Sequence, residues 1–279
     1  MIYQECFNQG KLALESAGIP EAALDARLLL EHICGTSRND LLVHGDREVA
    51  VEQEEAYKEA IRQRAERIPL QHITGQQEFM GLTFQVNENV LIPRQDTEIL
   101  VEEVLPHLTS GVRILDMCTG SGCILISLLH YSMWAEGTGV DLSAKALEVA
   151  RENAGRLLSK ERIVSFVESD LFEKVEGKYD VIVSNPPYIQ TEVIKGLMPE
   201  VRDHEPMMAL DGTEDGLYFY RRIVEESKEF LRKEGRLFFE IGYDQAEAVK
   251  GLMENAGFSD VTVVKDFAGL DRVVHGYLA

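Results

Sequence analysis

The sequence has few of the features that mark secreted, metal-binding or membrane proteins. None of its cysteines belongs to a C-x-x-C pair or a zinc-ligand spacing, and there are only four of them: Cys6, Cys34, Cys118 and Cys123. The first residues have neither the basic segment nor the apolar core of a signal peptide, and no apolar run approaches membrane-spanning length. We therefore expect a cytoplasmic protein with reduced thiols, no metal and no membrane partner.

Long basic runs are also absent, and the formal net charge is −20. Proteins that bind nucleic acid draw much of their affinity from neutralising phosphates, so direct nucleic-acid binding is not expected. An acidic surface suits a basic protein partner, although it can also serve solubility alone. With 279 residues, 45% of them hydrophobic, the chain is long enough for a sizeable core and two domains.

The first part of the chain has the pattern of helices. Apolar residues recur at helical spacing in Leu24, Leu28, Leu29 and Ile33, and Gly35 follows where a C-cap is expected. A second helix is expected over residues 51–67, and its many charges favour a solvated surface. We assign residues 1–72 to a helical domain.

The pattern then changes to that of a hairpin. Residues 79–92 are typical of two short strands joined by a turn, with Pro93 ending the second strand. Asp96 is placed to cap a helix running through Ile99 and Val104. We assign residues 73–95 to a β-hairpin linker and residues 96–279 to a second domain.

The second domain alternates strands and helices, which favours a parallel α/β sheet with helices on both faces. At its end, residues 261–266 and 272–279 are strand-like but are joined by a loop too short for a parallel crossover, so they should be antiparallel. The other expected strands are 112–117, 137–141, 163–167, 179–184 and 236–241.

The first of these strands runs into a glycine-rich turn and then an apolar helix. Such a turn lets a ligand approach the backbone and the helix N-terminus. No Lys-Ser or Lys-Thr follows, so a Walker-type phosphate loop is excluded. The turn consists of Cys118, Thr119, Gly120, Ser121 and Gly122.

Acidic residues end the next two strands. Asp141 lies about 20 residues after the glycines, where a carboxylate suits hydrogen bonds to ribose hydroxyls, although it could instead cap a helix that Ser143 could also cap. Asp170 could meet an adenine amino group while Leu171 or Phe172 packs on the ring, or it could be only a turn cap.

Together these strand ends resemble the nucleoside-binding edge of class I S-adenosylmethionine-dependent methyltransferases. That resemblance implies a Rossmann-like sheet of seven strands, mostly parallel with an antiparallel C-terminal strand. It also implies S-adenosyl-L-methionine as methyl donor and S-adenosylhomocysteine as product. An NAD-dependent dehydrogenase would share the glycine turn and the acidic residue, but it gives no reason for the segment SNPPYI at 184–189.

That segment leaves a buried strand through two prolines, which end the strand and stiffen the loop. Asn185, Pro186, Pro187 and Tyr188 resemble the motif of methyltransferases that act on planar NH2 groups. The Asn185 side-chain oxygen and the Pro186 carbonyl could each accept one N–H of the target. Pro187 would hold that carbonyl in place, and Tyr188 could stack on the planar group.

The wider sequence resembles the glutamine methyltransferases of peptide chain release factors over almost its whole length. Residues 69–105 and 204–217 carry the resemblance together with the motifs above. It implies methylation of the glutamine side chain in the Gly-Gly-Gln loop of class I release factors. It also implies that residues 1–72 are a substrate-recognition domain and residues 96–279 the S-adenosylmethionine-dependent methyltransferase domain. The chain departs from the family pattern at Gln95, where proline is usual, at His72, where tyrosine is common, and at Cys118 and Thr213, where glycine is usual. A positive φ at Cys118 would cost about 1 kcal/mol.

Three other functions remain open on the sequence. A ribosomal-protein glutamine methyltransferase would have nearly the same catalytic motifs. A DNA adenine N6-methyltransferase would need a groove-reading domain rich in Lys and Arg and room for a flipped base, and neither is evident. A cofactor-binding sensor or scaffold would have no use for an intact Asn185 and Tyr188.

Overall fold

The computed structural model describes all 279 residues, which form two compact units. The first unit contains residues 1–76 together with 198–204, and the second contains residues 77–197 and 205–279. The expected division was instead 1–72, 73–95 and 96–279. In the structure the hairpin groups with the second unit, and a short internal segment belongs to the first.

The first unit is helical. Its second helix, α2, spans Ala22–Cys34. Gly35 ends this helix in the left-handed conformation, with φ of 60°, as expected of a C-cap. The inward face of α2 differs from the expected one, because Ala26, Leu29 and Leu30 are fully buried whereas Leu24 is 37% exposed. The helices are α1 (Tyr3–Ser16), α2 (Ala22–Cys34), α3 (Arg38–Val43), α4 (Val51–Ala65) and α5 (Leu70–Thr74), with a turn of helix at Pro199–Arg202.

Helix α4 is less solvated than its charges suggest. Tyr57, Ala60 and Ile61 are buried in the core of the first unit. Arg64 is buried too, and its guanidinium bonds Asp25 Oδ2 at 2.8 Å and Glu200 Oε1 at 3.0 Å. The expectation of a solvated helix was therefore wrong on one face, where a buried ion cluster joins α2, α4 and the segment 198–204.

The second unit is built on one seven-stranded sheet, preceded by the hairpin strands β1 (Gln76–Phe79) and β2 (Leu82–Gln85). The strands of the sheet are β3 (Arg113–Met117), β4 (Glu136–Asp141), β5 (Val164–Glu168), β6 (Tyr179–Ser184), β7 (Leu231–Glu240), β8 (Phe258–Lys265) and β9 (Asp271–Leu278). Their order is β5-β4-β3-β6-β7-β9-β8. Strands β3 to β7 are parallel, and β9 is antiparallel to both β7 and β8. This confirms the expected α/β class with antiparallel C-terminal strands.

Helices pack on both faces of this sheet and bury two apolar clusters. The main helices are α6 (Glu98–Val104), α7 (Cys123–Tyr131), α8 (Ala144–Leu157), Tyr218–Ser227 and Ala246–Asn255, with single turns at Thr191–Ile194 and Met207–Leu210. No helix combines the length and the apolarity needed to cross a bilayer.

Two local expectations were wrong. The hairpin consists of β1 (Gln76–Phe79) and β2 (Leu82–Gln85), so its second strand ends well before Pro93. Asp96 does not cap α6 but lies in a 3-10 turn, with its carboxylate 3.3 Å from the Arg272 guanidinium.

Candidate active site

The ligand-binding edge of the sheet lies where the strand order reverses. Strands β3 and β6 are neighbours. Strands β4 and β5, which follow β3 in the chain, lie on the β3 side of this pair, and the strands that follow β6 lie on the β6 side. In open α/β sheets, ligands bind outside the carboxyl ends of the strands at such a switch point. A cavity of about 510 Å³ lies here, lined by ends of β3, β4 and β6 and by residues that follow β5.

The glycine-rich turn after β3 forms one wall of the cavity. Its backbone has positive φ at Cys118 (62°), Gly120 (54°) and Gly122 (79°). The positive φ of Gly122 disfavours any other L-residue, and a Cβ there would also lie 2.8 Å from Ile126 Cδ1 and 3.2 Å from Ala150 Cβ, so this position favours glycine. A Cβ at Gly120 would meet no atom within 4 Å, and Gly120 lines the cavity, so its backbone is open to a ligand. Thr119 and Ser121 line the cavity as well, whereas Gly122 does not.

Asp141 holds the turn in shape. Its Oδ2 accepts the Gly120 N–H at 2.9 Å and its Oδ1 accepts the Ser143 N–H at 2.9 Å. Ser143 caps α8 by accepting the Ala146 N–H, so Asp141 is not the helix cap. Burial raises the pKa of Asp141, and the carboxyl lines the cavity.

The segment after β5 contributes one acidic and one apolar wall. Asp170 lines the cavity, and its Oδ1 lies 2.8 Å from the Arg222 guanidinium. Leu171 also lines the cavity. Phe172 does not: it lies in the core and stacks on Phe230 with ring centroids 4.8 Å apart. Of the two side chains expected to pack on an adenine ring, the structure therefore brings only Leu171 to the cavity.

The loop after β6 closes the opposite wall. The Ser184 hydroxyl donates to the Met117 carbonyl at 2.6 Å, which ties the ends of β6 and β3 together. Asn185 and Pro187 line the cavity, and the Asn185 Nδ2 donates to Thr97 Oγ1 at 3.5 Å. The amide oxygen of Asn185 is not used by that bond.

Pro186 and Tyr188 do not line this cavity. Pro186 is buried within the loop, and Tyr188 lies half-buried with its hydroxyl 3.5 Å from Glu240 Oε1. The Tyr188 carbonyl accepts a hydrogen bond from Gln245 Nε2 at 3.0 Å. The expected stacking of Tyr188 on a planar target therefore stays a prediction.

Two glycines let a second loop press against Tyr188. A Cβ at Gly212 would lie 2.7 Å from Tyr188 Cα, and one at Gly216 would lie 2.4 Å from the Tyr188 carbonyl oxygen. The Ile189 N–H donates a hydrogen bond to the Leu210 carbonyl of this second loop, and the Ile189 carbonyl accepts one from the Gly212 N–H. The loop Asn185–Tyr188 is thus held from behind by backbone contacts that only glycine permits.

Residues 5–75 match the family model described as the PrmC N-terminal domain, and residues 94–199 match the methyltransferase small domain. A release factor glutamine methyltransferase of Agrobacterium fabrum is 42% identical over 267 residues, covering 94% of this chain and 92% of the relative. One of Caulobacter vibrioides is 42% identical over 275 residues, covering 98% and 95%. The chain belongs to the release factor glutamine methyltransferase family.

A solved structure shows the same fold outside this family. The 16S rRNA N2 G1207 methyltransferase of T. thermophilus, in complex with AdoMet and guanosine, has a TM-score of 0.52 and 17% identity, covering 73% of this chain and 50% of that one.

Several residues at the site of this family member were missed by sequence reasoning. Asn153 of α8 joins the glycine turn to β2, because its Nδ2 donates to the carbonyls of Ser121 and Gln85. Arg94 lines the cavity and pairs with the buried Glu205. Met207 and Met208 line the cavity although about half exposed. Arg94 and the methionines lie in segments that carried the family resemblance, whereas nothing in the local sequence marks Asn153.

Proposed function

We propose that this family member transfers a methyl group from S-adenosylmethionine to the side-chain amide nitrogen of the glutamine in the Gly-Gly-Gln loop of class I peptide chain release factors. The observation that carries the proposal is the position of the loop after β6. This loop brings Asn185 to the cavity wall, and contacts from Gln245, Gly212 and Gly216 hold its backbone at Tyr188. Membership of the family supports the choice of substrate.

The residues of the cavity fit S-adenosylmethionine. The open backbone at Gly120 gives a ligand close approach, and Asp141 offers a carboxylate beside it for a ribose diol. Asp170 keeps one oxygen beyond its bond to Arg222, and Leu171 offers an apolar surface for a base. When bound, the cofactor supplies a methyl group already activated by a sulfonium.

The residues of the loop supply position and hydrogen-bond acceptors. An amide nitrogen is a weak nucleophile because its lone pair is delocalised into the carbonyl. Asn185 Oδ1, at the cavity wall, accepts one N–H of the target, which draws electron density onto that nitrogen and aims it. A second hydrogen bond, to the Pro186 carbonyl, stays a prediction because Pro186 does not line the cavity. Pro187 fixes the peptide that carries the acceptor, and the Gln245 and Gly216 contacts keep Tyr188 from moving away.

The partner is then a protein that meets the enzyme in the cytoplasm, with no direct contact to nucleic acid or membrane. Release factors present the Gly-Gly-Gln loop at an exposed tip, which suits entry beside the half-exposed Met207 and Met208. Met side chains adapt to different partner surfaces, and we assign these two to the entrance.

The test is transfer of labelled methyl to a purified class I release factor, beside a matched factor with Gly-Gly-Ala in place of Gly-Gly-Gln. Duplex DNA and ribosomal protein serve as competing substrates. Label on the intact loop alone supports the proposal, and label on DNA or ribosomal protein instead overturns the substrate. Asn185→Ala should bind cofactor but transfer little methyl; unchanged transfer would remove Asn185 from its role.

A further inference from the structure

The turn that follows β5 brings Asp170 to the cavity through a strained backbone. The next residue, Leu171, has φ of 47°, a left-handed conformation that residues with a branched side chain rarely adopt. The backbone of the turn is tied on both sides: the Ser169 N–H donates to the Asp141 carbonyl at 3.0 Å, and Ser169 Oγ accepts the Lys174 N–H at 2.9 Å. These bonds place the backbone of the turn but do not fix the direction of the Asp170 carboxylate.

Arg222 fixes that direction from outside the cavity. Its Nη1 donates to Asp170 Oδ1 at 2.8 Å, and this is the only hydrogen bond that the chain gives the carboxylate. Asp170 lines the cavity and Arg222 does not. The second carboxylate oxygen, Oδ2, therefore remains available to a ligand while Oδ1 is held.

The guanidinium of Arg222 is held in turn by its own helix, Tyr218–Ser227. Its Nε donates to Glu226 Oε1 at 2.9 Å, and its Cζ lies 5.9 Å from the centre of the Tyr218 ring. The side chain is 25% exposed. Because a guanidinium is planar and carries its N–H groups in fixed directions, these contacts determine where Nη1 points.

We propose that Arg222 is a positioning residue that acts through Asp170 to make the cavity select adenine over a purine with a carbonyl at position 6. With Oδ1 held by Arg222, Oδ2 is the acceptor for the exocyclic amine of a base that packs on Leu171. The inference rests on the proposed function, because the methyl donor named there is what brings an adenine to this wall.

The chemistry of the two bases explains the selection. A carboxylate can only accept hydrogen bonds, so it pairs with an exocyclic amine but opposes a carbonyl oxygen. A hydrogen bond to a charged group is strong enough for a preference of about tenfold to hundredfold. The Asp170 side chain is 44% exposed, so without Arg222 its carboxylate can turn into water and the preference is lost.

The experiment measures Kd for S-adenosylhomocysteine and for S-inosylhomocysteine by calorimetry, without any release factor. Wild type is compared with Arg222→Met, Asp170→Asn and Arg221→Met. The last variant is the matched control, because it makes the same change at the adjacent position of the helix. Arg221 pairs with Asp215, which does not line the cavity.

We expect wild type and Arg221→Met to prefer the adenosine ligand by about tenfold to hundredfold. Arg222→Met should lose most of this preference, because Kd rises for the adenosine ligand and changes little for the inosine ligand. Asp170→Asn should abolish or reverse it, because an amide NH2 can donate to the carbonyl at position 6. In Arg222→Met, KM for S-adenosylmethionine should rise while kcat at saturating cofactor stays at the wild-type value.

A wild-type preference in Arg222→Met, or an equal loss in Arg221→Met, would overturn the positioning role. Equal binding of the two ligands by wild type, or wild-type selectivity in Asp170→Asn, would overturn the inference at Asp170 itself. Urea unfolding checks that each variant is folded. Selective binding without methylation of any release factor would contradict the proposed substrate, and the binding comparison would still decide the role of Arg222.

Discussion

Seven non-glycine residues have positive φ, a backbone conformation that favours glycine. Two of them, Cys118 with φ of 62° and Thr213 with φ of 71°, stand where the family pattern has glycine. A left-handed conformation costs an L-residue about 1–2 kcal/mol. The turn around Cys118 keeps its shape because Asp141 and Asn153 bond the adjacent backbone, and Thr213 keeps its shape because its N–H donates to Asp211 Oδ1 at 2.8 Å.

At the same scale, Glu240 makes stability depend on pH. Its pKa is raised to about 7 by burial, so the folded protein holds a proton that the unfolded chain has already lost. The folded-state contribution is present at low pH and falls as pH rises to about 7. We therefore expect the unfolding free energy of Glu240→Gln, minus that of wild type, to increase from pH about 5 to pH about 8.

Urea unfolding at several pH values checks this prediction, with Glu247→Gln, the same change at an exposed position, as the control. His275 gives the unfolding free energy a pH dependence of the opposite sign, because its pKa is lowered to about 4, mainly by burial. This contribution is the same in variant and wild type, so it cancels in the difference. A difference that is flat or falls with pH would contradict a buried Glu240 with a raised pKa.

At the scale of elements, sequence patterns predicted what is local. The strands β3 to β6 and the two C-terminal strands lie where alternation and turn residues placed them, although β7 begins at Leu231 rather than at 236. Residues 86–92 were predicted to belong to the second strand of the hairpin, and this was wrong, because that strand ends at Gln85. In the structure Val86 and Val90 pack against Ala146 and Val149 of α8, so these apolar residues reflect a contact with a helix and not strand pairing.

Of the residues at the candidate site, sequence motifs again predicted only those that lie in a local pattern. Motifs at the strand ends mark Gly120, Asp141 and Asn185, because each motif is continuous in sequence and parallel strands end at one edge. Thr97, Glu240 and Gln245 were not predicted. They meet the loop from far along the chain, and an isolated Thr, Glu or Gln carries no local pattern.

The second loop gives a prediction at this scale. Gly212→Ala and Gly216→Ala would each place a Cβ within 3 Å of the Tyr188 backbone. The loop must shift, and a shift of this kind can cost about 100-fold, so we expect kcat to fall by that order while cofactor Kd changes little. Gly155→Ala is the control, because its Cβ would meet nothing within 4 Å on the exposed face of α8. Activity in Gly216→Ala equal to that of Gly155→Ala would show that the clamp on Tyr188 is dispensable.

At the scale of the molecule, the charge of −20 favours encounter with a partner whose contact surface is basic, and we expect the release factor to present such a surface. Salt shortens the range of surface electrostatics to about 10 Å at 0.1 M and about 3 Å at 1 M. We expect kcat/KM for the release factor to fall several-fold from low to high salt, mainly through KM, because steering raises the encounter rate. Steady-state rates across a sodium chloride series check this. A kcat/KM independent of salt would assign the acidity to solubility alone.

The buried ion cluster of the first unit gives the last prediction. Arg64→Met leaves Asp25 buried without its arginine and leaves Glu200 with Arg67 as its remaining partner, at 3.2 Å. Breaking a buried ion pair typically costs about 3–5 kcal/mol. Arg62→Met on the same helix removes an exposed arginine whose ion pairs are screened by water, so we expect a much smaller loss. Urea unfolding followed by circular dichroism should separate the two variants clearly. Equal losses would mean that the cluster contributes no more than a surface pair.

The first unit is discontinuous in sequence, and this has a consequence during synthesis. Residues 1–76 leave the ribosome well before residues 198–204, which supply Glu200 to the cluster around Arg64. At about 5–20 residues per second, the delay is on the order of ten seconds. During that interval Arg64 has Asp25 but not Glu200 as a partner. The first unit therefore reaches its final structure only after strands β3 to β6 of the sheet have been translated.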